Sequence, residues 1–386
     1  MKKYRILLLI CWCALSAVAQ DSLCVKLDSL VRLPMFETSQ LGLMVYDLKA
    51  DTVLYEHHAR QLMRPASTMK LVTAITALDR LGGDYHYRTR LCYTGDIQDG
   101  KLNGNIYCVG GFDPMVTADD IRSLVESMHL QGLDTLEGNV LADCSMKDTL
   151  AYGEGWCWDD DNPRLTPLSV GRKDIFVNQL LLAMQRDSIV LRNVGVGRAT
   201  CPSGARLLGE IHRPLTDVLW RMMKNSDNFF AESMLYQIAA SVGRRPARAA
   251  DARQAIKQLV GRIGLGDNPY RFADGSGLSL YNYVSAELEV MLLRYAWRNR
   301  RIYDCLEPSL PVAGVDGTLE KRMKGEFTLG NVRAKTGTLT GISSLAGYLY
   351  AFDGRPLAFC IINQGVMRNK DGKDFQDRVC EVLCEP

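Results

Sequence analysis

Histidine is scarce in this chain, with only five among 386 residues. The sequence contains no His-Glu-x-x-His motif and no pair of Cys-x-x-Cys motifs, which argues against a metal enzyme. An excess of charge of one sign is also missing, because 46 Lys and Arg are balanced by 44 Asp and Glu. Without a basic stripe, the electrostatic footprint of a nucleic-acid-binding protein is absent. We therefore expect no metal, no cofactor and no nucleic-acid partner.

Internal repeats and low-complexity tracts are absent as well. Hydrophobic residues make up 47% of the chain and charged residues 23%, which is a globular composition rather than a disordered or fibrous one. The length exceeds the roughly 100–200 residues of a typical domain. Two domains, or one large domain with an insertion, are therefore expected.

The N-terminus has the three features of a secretory signal. Lys2, Lys3 and Arg5 are cationic, residues 6–14 are apolar, and Ala17-Val18-Ala19 is a cleavage site. The apolar run is shorter than the about 20 residues that a membrane-spanning helix needs, and no later stretch is apolar enough. We predict that residues 1–19 are a signal peptide, cleaved near Ala19 and Gln20, and that the mature protein is periplasmic.

The mature chain still contains cysteines after removal of the signal peptide. Cys11 and Cys13 lie in the signal, and the mature chain keeps the others of the 12. An exported chain can form disulfides, but the sequence does not determine which cysteines would pair. The remaining cysteines are Cys24, Cys92, Cys108, Cys144, Cys157, Cys201, Cys305, Cys360, Cys380 and Cys384.

The hydrophobic pattern divides the mature chain into three parts. A strand hairpin is predicted over residues 41–55 and a helix over 69–81, whereas the segment 86–205 has short strands, many turns and one amphipathic helix. Helical patterning returns from residue 215, and a second hairpin is predicted over 344–363. We predict an α+β fold in which residues 20–85 and 206–386 form one body and residues 86–205 form an inserted, strand-rich domain.

Ser67-Thr68-Met69-Lys70 is a Ser-x-x-Lys motif at the start of the predicted helix. Residues i and i+3 share a helix face, so the lysine amine can reach the serine hydroxyl. A serine becomes a good nucleophile when a base removes its proton, and a lysine of lowered pKa can be that base. By itself the motif is weak, because such a serine can simply cap the helix.

Two further motifs follow in a fixed order. Ser226-Asp227-Asn228 comes after an apolar helical segment, and Lys335-Thr336-Gly337-Thr338 precedes an apolar strand. A polar helix break and an exposed edge strand are the structural alternatives for these two motifs. The three motifs in this order are those of class A β-lactamases and penicillin-binding proteins.

The chain resembles the class C low-molecular-mass penicillin-binding proteins, the D-alanyl-D-alanine carboxypeptidase/endopeptidase family. The resemblance covers most of residues 41–365. It implies a penicillin-binding transpeptidase-like domain, with an antiparallel sheet flanked by helices and a helical subdomain, interrupted by the insert. The further matching runs are Gly110-Gly111-Phe112-Asp113-Pro114, Gly138-Asn139-Val140-Leu141, residues 155–160, residues 273–279 and residues 310–319.

The resemblance also implies the role of each motif residue. Ser67 would be the nucleophile, acylated by peptidoglycan stem peptides and by β-lactam antibiotics, and Lys70 its base. Ser226 would relay a proton towards the leaving amine, with Lys335 lowering the local potential, and Asn228 would orient the substrate amide. The backbone N–H groups of Ser67 and Thr338 would form the oxyanion hole. Thr336, Gly337 and Thr338 would bind the terminal carboxylate.

The insert is where the resemblance implies substrate choice. Asp160 matches a family aspartate that recognises the amino group of the third stem residue, although a solvated acidic loop of residues 159–161 is an alternative. Leu280 and Thr340 stand where arginine and glutamine are often found, which weakens any claim for a diaminopimelate stem. A β-lactamase and a catalytically silent wall-binding protein remain alternatives. The sequence leaves open the oligomeric state and whether the enzyme trims termini or cuts cross-links.

Overall fold

The computed structural model of the protein describes residues 23–160 and 162–386. The predicted signal peptide, residues 1–19, lies outside the described residues. Among the described helices, none combines the length and the apolar character needed to cross a membrane.

The elements alternate between two units, as an inserted domain requires. The helices are α1 (residues 23–31), α2 (Met69–Leu81), α3 (Ala118–Leu130), α4 (Phe176–Arg186), α5 (Leu215–Lys224), α6 (Asn228–Ala240), α7 (Ala249–Arg262), α8 (Ala286–Arg298), α9 (Arg300–Leu306) and α10 (Asn369–Cys384). The strands are β1 (Gln40–Asp47), β2 (Thr52–His57), β3 (His86–Tyr93), β4 (Asp96–Gln98), β5 (Lys101–Asn103), β6 (Ile106–Val109), β7 (Thr135–Asp143), β8 (Val190–Arg198), β9 (Arg206–Pro214), β10 (Arg333–Leu339), β11 (Ile342–Tyr350) and β12 (Pro356–Gln364).

The first unit is built on an antiparallel sheet of order β10-β11-β12-β1-β2. Its central strands β11 and β12 are buried along almost their whole length, because helices cover both faces. One core contains α2, α6 and α8, and the other contains α10. Both predicted hairpins are confirmed, as is the helix over Met69–Leu81. The helical region predicted from residue 215 is interrupted at residues 225–227, between α5 and α6.

The second unit is a mixed sheet of order β4-β5-β7-β6-β3-β9, with β8 paired to β7. Helices α3 and α4 pack on it around Leu124, Val125, Phe176 and Leu180. The predicted boundary at residue 205 falls immediately before β9, which the structure pairs with β3. The two units together have the α+β organisation predicted from the sequence, with the strand-rich unit between the halves of the first.

The fold brings all three motifs to one side of the first sheet. Ser67 precedes α2, Ser226 lies between α5 and α6, and Lys335 is on the edge strand β10. Since α2 is buried along ten consecutive residues, from Met69 to Leu78, it anchors the site in the core.

Candidate active site

Ser67 lies in a short 3-10 turn, Ala66–Thr68, that continues directly into α2. The turn starts with Ala66 at φ 49°, a left-handed conformation that a residue with a Cβ adopts at a cost in free energy. Tight packing holds the turn in place. A Cβ on Gly277 would come 1.7 Å from the Ala66 carbonyl oxygen, and one on Gly337 would come 2.9 Å from the Ser67 nitrogen. Only glycine allows the two flanking segments to approach the serine this closely.

The Lys70 amine is fully buried and lies 3.0 Å from the Ser67 hydroxyl oxygen. It donates to Asn228 Oδ1 at 2.8 Å and to the Ser276 carbonyl oxygen at 2.8 Å. Both of these oxygens can only accept hydrogen bonds. A neutral amine has two N–H groups and one lone pair, so these two acceptors take the protons. The remaining lone pair then faces the Ser67 hydroxyl, as a general base requires.

Burial lowers the pKa of Lys70 to about 7, because desolvation disfavours the ammonium form. The nearby carboxyl groups of Asp274 and Glu232 act in the opposite direction. Lysine in water has a pKa of about 10.4, so a lysine of this kind is far more often neutral at physiological pH than an exposed one. The amine is thus prepared to accept a proton.

Asp274 organises the segment that carries the Ser276 carbonyl. Its buried carboxylate accepts five hydrogen bonds, from the side chains of Trp156, Ser276 and Asn282 and from the backbone N–H groups of Gly277 and Ser279. Hydrogen bonds from this many donors offset the free-energy cost of burying the carboxylate. The segment that Lys70 contacts is consequently held rigidly.

Glu232 is the second carboxyl group near Lys70. It is buried on α6, and Gly275 donates its backbone N–H to Oε1 at 2.8 Å. Burial and the charge of Asp274 raise the pKa of Glu232 to about 8. The group therefore favours its neutral form at pH 7, which limits the negative charge that Lys70 experiences.

Ser226 forms the second half of the site. It occupies the link between α5 and α6 with φ 57°, a strained conformation for serine that is typical of functional sites. Lys335 Nζ lies 2.9 Å from the Ser226 hydroxyl oxygen and donates to the Thr336 carbonyl oxygen at 2.6 Å. Two serine–lysine pairs are therefore present, one around Ser67 and one around Ser226.

Lys335 is also fully buried. Desolvation, with repulsion from Lys70, lowers its pKa well below the ordinary value, while the carboxyl group of Glu289 acts against the shift. Glu289 is buried beneath the turn that holds Ser67, where it accepts from the Thr68 hydroxyl at 2.7 Å. Burial raises the pKa of Glu289 to about 7. Two lysines so close together are easier to accommodate when at least one of them is neutral.

The free edge of β10 supplies backbone N–H groups. Ala334 donates its N–H away from β11, to the Pro311 carbonyl oxygen at 3.0 Å. Because backbone N–H groups alternate along an antiparallel strand, those of Thr336 and Thr338 also point away from β11. Gly337 between them packs against the turn that holds Ser67. The edge thus presents donors beside Ser67, and the Thr336 hydroxyl lies 2.7 Å from that of Thr318.

Asp160 does not contact Ser67 or either lysine. Its carboxylate accepts the Cys157 backbone N–H at 2.7 Å, closing a short loop. This loop is anchored to the site at both ends, by Trp156 on Asp274 at 2.8 Å and by Asn162 Oδ1, which accepts from Asn228 at 3.4 Å. Asp160 therefore lies in a loop attached to the site rather than among its reacting groups.

Several residues of the site were not identified from the sequence. Glu232 had a signal, since it lies one helical turn after Asn228 on α6, whereas Glu289 is distant from every motif. Arg172 of the insert forms an ion pair with Asp227, between the two motif residues Ser226 and Asn228. Among the described residues, no group of three or more His, Cys, Asp or Glu side chains is arranged to hold a metal ion.

Comparison with known proteins identifies relatives over nearly the whole described chain. A sequence profile of the D-Ala-D-Ala carboxypeptidase 3 (S13) family matches residues 23–169 and 170–385. The chain is 26% identical over 407 residues to the D-alanyl-D-alanine carboxypeptidase DacB of Haemophilus influenzae, a match that covers 84% of this chain and 85% of that protein. It is 27% identical over 449 residues to a D-alanyl-D-alanine carboxypeptidase of an Actinomadura species, covering 88% and 80%.

The fold has a close counterpart among solved structures. The crystal structure of penicillin-binding protein 4 (dacB) from Haemophilus influenzae superposes with a TM-score of 0.85 and 23% sequence identity. The superposition covers 93% of this chain and 99% of that one. The inserted unit is included in an overlap of this extent, which confirms the predicted fold class.

Proposed function

The chain belongs to the D-Ala-D-Ala carboxypeptidase 3 (S13) family, and on this premise we propose that it hydrolyses the D-alanyl-D-alanine bonds of peptidoglycan stem peptides through an acyl-enzyme on Ser67. One observation supports the proposal above the others. The buried Lys70 amine lies 3.0 Å from the Ser67 hydroxyl, and its other two contacts are acceptors only.

Acylation starts when Lys70 takes the Ser67 proton. The serine oxygen attacks the carbonyl carbon before the terminal D-alanine, and the oxygen of the tetrahedral intermediate lies between the N–H groups of Ser67 and Thr338. Ser226 gives a proton to the leaving amine and regains one from Lys335, whose Nζ is 2.9 Å away. Breaking of the peptide bond then releases D-alanine and leaves the acyl ester on Ser67.

Deacylation uses the same base. Lys70 first releases to solvent the proton that it took from Ser67, and Lys335 regains the one it gave. The neutral Lys70 amine then removes a proton from water, the hydroxide attacks the ester carbonyl, and the Lys70 ammonium returns the proton to the leaving Ser67 oxygen. A β-lactam follows the first half of this sequence, because its amide carbonyl acylates Ser67 in the same way. Its leaving group stays tethered to the acyl chain, so the resulting ester is expected to be long-lived.

Substrate binding is assigned to the groups around the reacting atoms. Asn228 orients the substrate amide, and Thr336, Gly337 and Thr338 hold the terminal carboxylate along the edge of β10. The outward N–H groups of β10 support this role, as does the Thr336 hydroxyl near Thr318. The predicted signal peptide places the enzyme in the periplasm, where peptidoglycan is available.

Incubation with defined muropeptides tests the function. Monomeric pentapeptide muropeptides should lose one D-alanine if the enzyme is a carboxypeptidase, and cross-linked dimers should yield monomers if it is an endopeptidase. Inactivity on both, with an intact fold, would contradict the proposal. The lifetime of the penicilloyl-enzyme distinguishes a carboxypeptidase or endopeptidase from a β-lactamase, since turnover of penicillin within seconds would favour a β-lactamase.

Asp160→Asn is expected to weaken the binding of stem peptides that carry a free amine on the third residue. A carboxylate facing an ammonium makes a charge-assisted hydrogen bond worth roughly 1.5–3 kcal/mol, so KM should rise about tenfold or more. The same peptide with that amine acetylated should bind both proteins equally. Steady-state kinetics with the two peptides measure the difference, and Asp159→Asn is the matched control. Equal KM values for wild type and Asp160→Asn on the free amine would contradict the role.

Arg172→Ala is expected to slow acylation by roughly 10-fold to 100-fold, because small displacements of reacting groups have effects of this size. Asp227 caps α6 by accepting the Phe229 N–H at 3.1 Å, and Arg172 fixes that carboxylate from the insert. Without Arg172, the neighbouring Ser226 and Asn228 should be held less firmly. We expect kcat to fall more than KM rises, as measured with a chromogenic peptide ester.

The control for Arg172 is Arg198→Ala, which removes an exposed ion pair with Asp174 in the same unit. That variant should keep wild-type kinetics. Rescue of Arg172→Ala by Arg172→Lys would show that the charge matters. An Arg172→Ala enzyme with unchanged kcat would contradict a positioning role.

A further inference from the structure

A cavity whose lining does not include Ser67 lies where the inserted unit meets residues 245 and 246. Its volume is about 920 Å³. The lining residues include three cysteines, Cys92, Cys144 and Cys201, and none of the motif residues. Catalysis as described above makes no use of this cavity.

Two of these cysteines are in contact, although they are far apart in the chain. Cys92 is buried on β3, and Cys201 lies in the connection between β8 and β9 and packs against the same small cluster. The Cys201 thiol donates to the Pro202 carbonyl oxygen at 3.7 Å, and the neighbouring Cys92 thiol is one of the groups that raise the pKa of Cys201. Asp143 Oδ2 accepts the Cys201 backbone N–H at 2.8 Å and fixes the position of the loop.

The other nearby cysteines are not placed to pair with Cys92 or Cys201. Cys108 on β6 is opposite Leu91, so the alternation of side chains along a strand puts it on the other face of the sheet from Cys92. In agreement, Cys108 belongs to the core under α3 and α4. The Cys144 thiol interacts with the Thr166 side chain instead.

We propose that Cys92 and Cys201 form a disulfide bond in the exported protein. The oxidant is a thiol–disulfide oxidoreductase of the export compartment, which carries its own disulfide. Cys201, the more exposed thiol, loses its proton and attacks that disulfide, forming a mixed disulfide and releasing one oxidant thiol. The Cys92 thiolate then attacks the Cys201 sulfur and releases the second oxidant thiol. Two electrons pass to the oxidant, and one S–S bond is exchanged for another.

The environment of the pair indicates a structural bond rather than a switch. Burial and the neighbouring thiol raise the pKa of Cys201 to about 11, which leaves little reactive thiolate in the folded protein. Oxidation should therefore take place while the chain folds, and the finished bond should resist mild reductants. It would tie β3 to the β8–β9 connection and close one wall of the cavity.

Peptide mapping of the exported protein tests the pair directly. The protein is denatured in iodoacetamide without reductant and digested with trypsin, which separates the relevant cysteines because Cys92 falls in peptide 91–101, Cys108 in 102–122, Cys144 in 123–147 and Cys201 in 199–206. We expect a linked pair of peptides 91–101 and 199–206 that disappears on reduction. Alkylated Cys92 and Cys201, or a link from either to another cysteine, would overturn the proposal.

Thermal unfolding provides a second test that does not depend on activity. Cys92→Ser and Cys201→Ser should each lower Tm by on the order of 5 °C, and the double variant should lie no lower than the single ones. Full reduction should bring the wild type down to the variants, whereas Cys144→Ser should retain the wild-type value. Additive losses in the double variant would show that the two residues act independently, against a bond.

Discussion

Ser67→Ala is expected to reduce hydrolysis of muropeptides by about 10⁴-fold or more, the scale seen when a serine hydrolase loses its nucleophile. Alanine removes only the hydroxyl oxygen, which lies 3.0 Å from the Lys70 amine. The backbone N–H groups and the binding surface are unchanged, so substrate should still bind. Fluorescent penicillin should no longer label the protein covalently, because no acceptor for the acyl group remains.

The Ser67→Ala variant should keep its fold. Among the described residues, the hydroxyl forms a hydrogen bond with Lys70 and with no other group, so Tm should stay within a degree or two of the wild type. Ser203→Ala, at an exposed position in the insert, is the matched control and should be labelled normally. Labelling of Ser67→Ala at the wild-type rate would refute the assignment of the nucleophile.

Lys70→Arg is expected to lower the acylation rate by roughly 10³-fold, in the middle of the range for loss of a general base. Arginine keeps the positive charge but cannot lose its proton in a protein, so it has no lone pair for the Ser67 proton. The substitution therefore separates a basic role for Lys70 from a merely electrostatic one. Lys257→Arg, on the exposed face of α7, is the control.

If Lys70 is the base, the acylation rate of the wild type should increase with pH. Below pH 7 the Lys70 amine is protonated and cannot act as a base, so wild-type acylation should rise as the pH passes through the Lys70 pKa of about 7. The rise should be absent from the residual rate of Lys70→Arg. Stopped-flow acylation by a chromogenic cephalosporin between pH 5 and 9 measures both profiles. A wild-type rate that falls with pH over this range, or a fully active Lys70→Arg, would exclude Lys70 as the base.

Local spacing explains why the first serine–lysine pair could be predicted from the sequence. Ser67 and Lys70 are three residues apart at a helix start, so their proximity follows from helix geometry. Lys335 and Ser226 are 109 positions apart, and only the order of the motifs linked them before the structure brought their side chains to 2.9 Å. The order of the three motifs along the chain is also what allowed the family, and with it the α+β fold, to be predicted correctly.

Tertiary packing explains what the sequence did not reveal. The support that Asp274 gives to Lys70 arises because one carboxylate collects donors from five residues, including Trp156 of the insert. Glu289 affects Lys335 only because α8 packs beneath the turn that holds Ser67. No periodicity encodes such contacts. The end of the insert could not be predicted from the sequence either, because β9 pairs with β3, a strand more than 100 residues earlier in the chain.

The acceptor of the acyl group is the point on which the whole mechanism depends, and it can be located by mass spectrometry. After incubation with benzylpenicillin, the denatured protein is digested with trypsin, for which the peptide bond between Arg64 and Pro65 is a poor substrate. Peptide 61–70 then contains Ser67 as its only serine. We predict that this peptide carries the penicilloyl group, with fragment ions assigning it to Ser67. A penicilloyl group on any other residue, or none after prolonged incubation, would contradict an acyl-enzyme at Ser67.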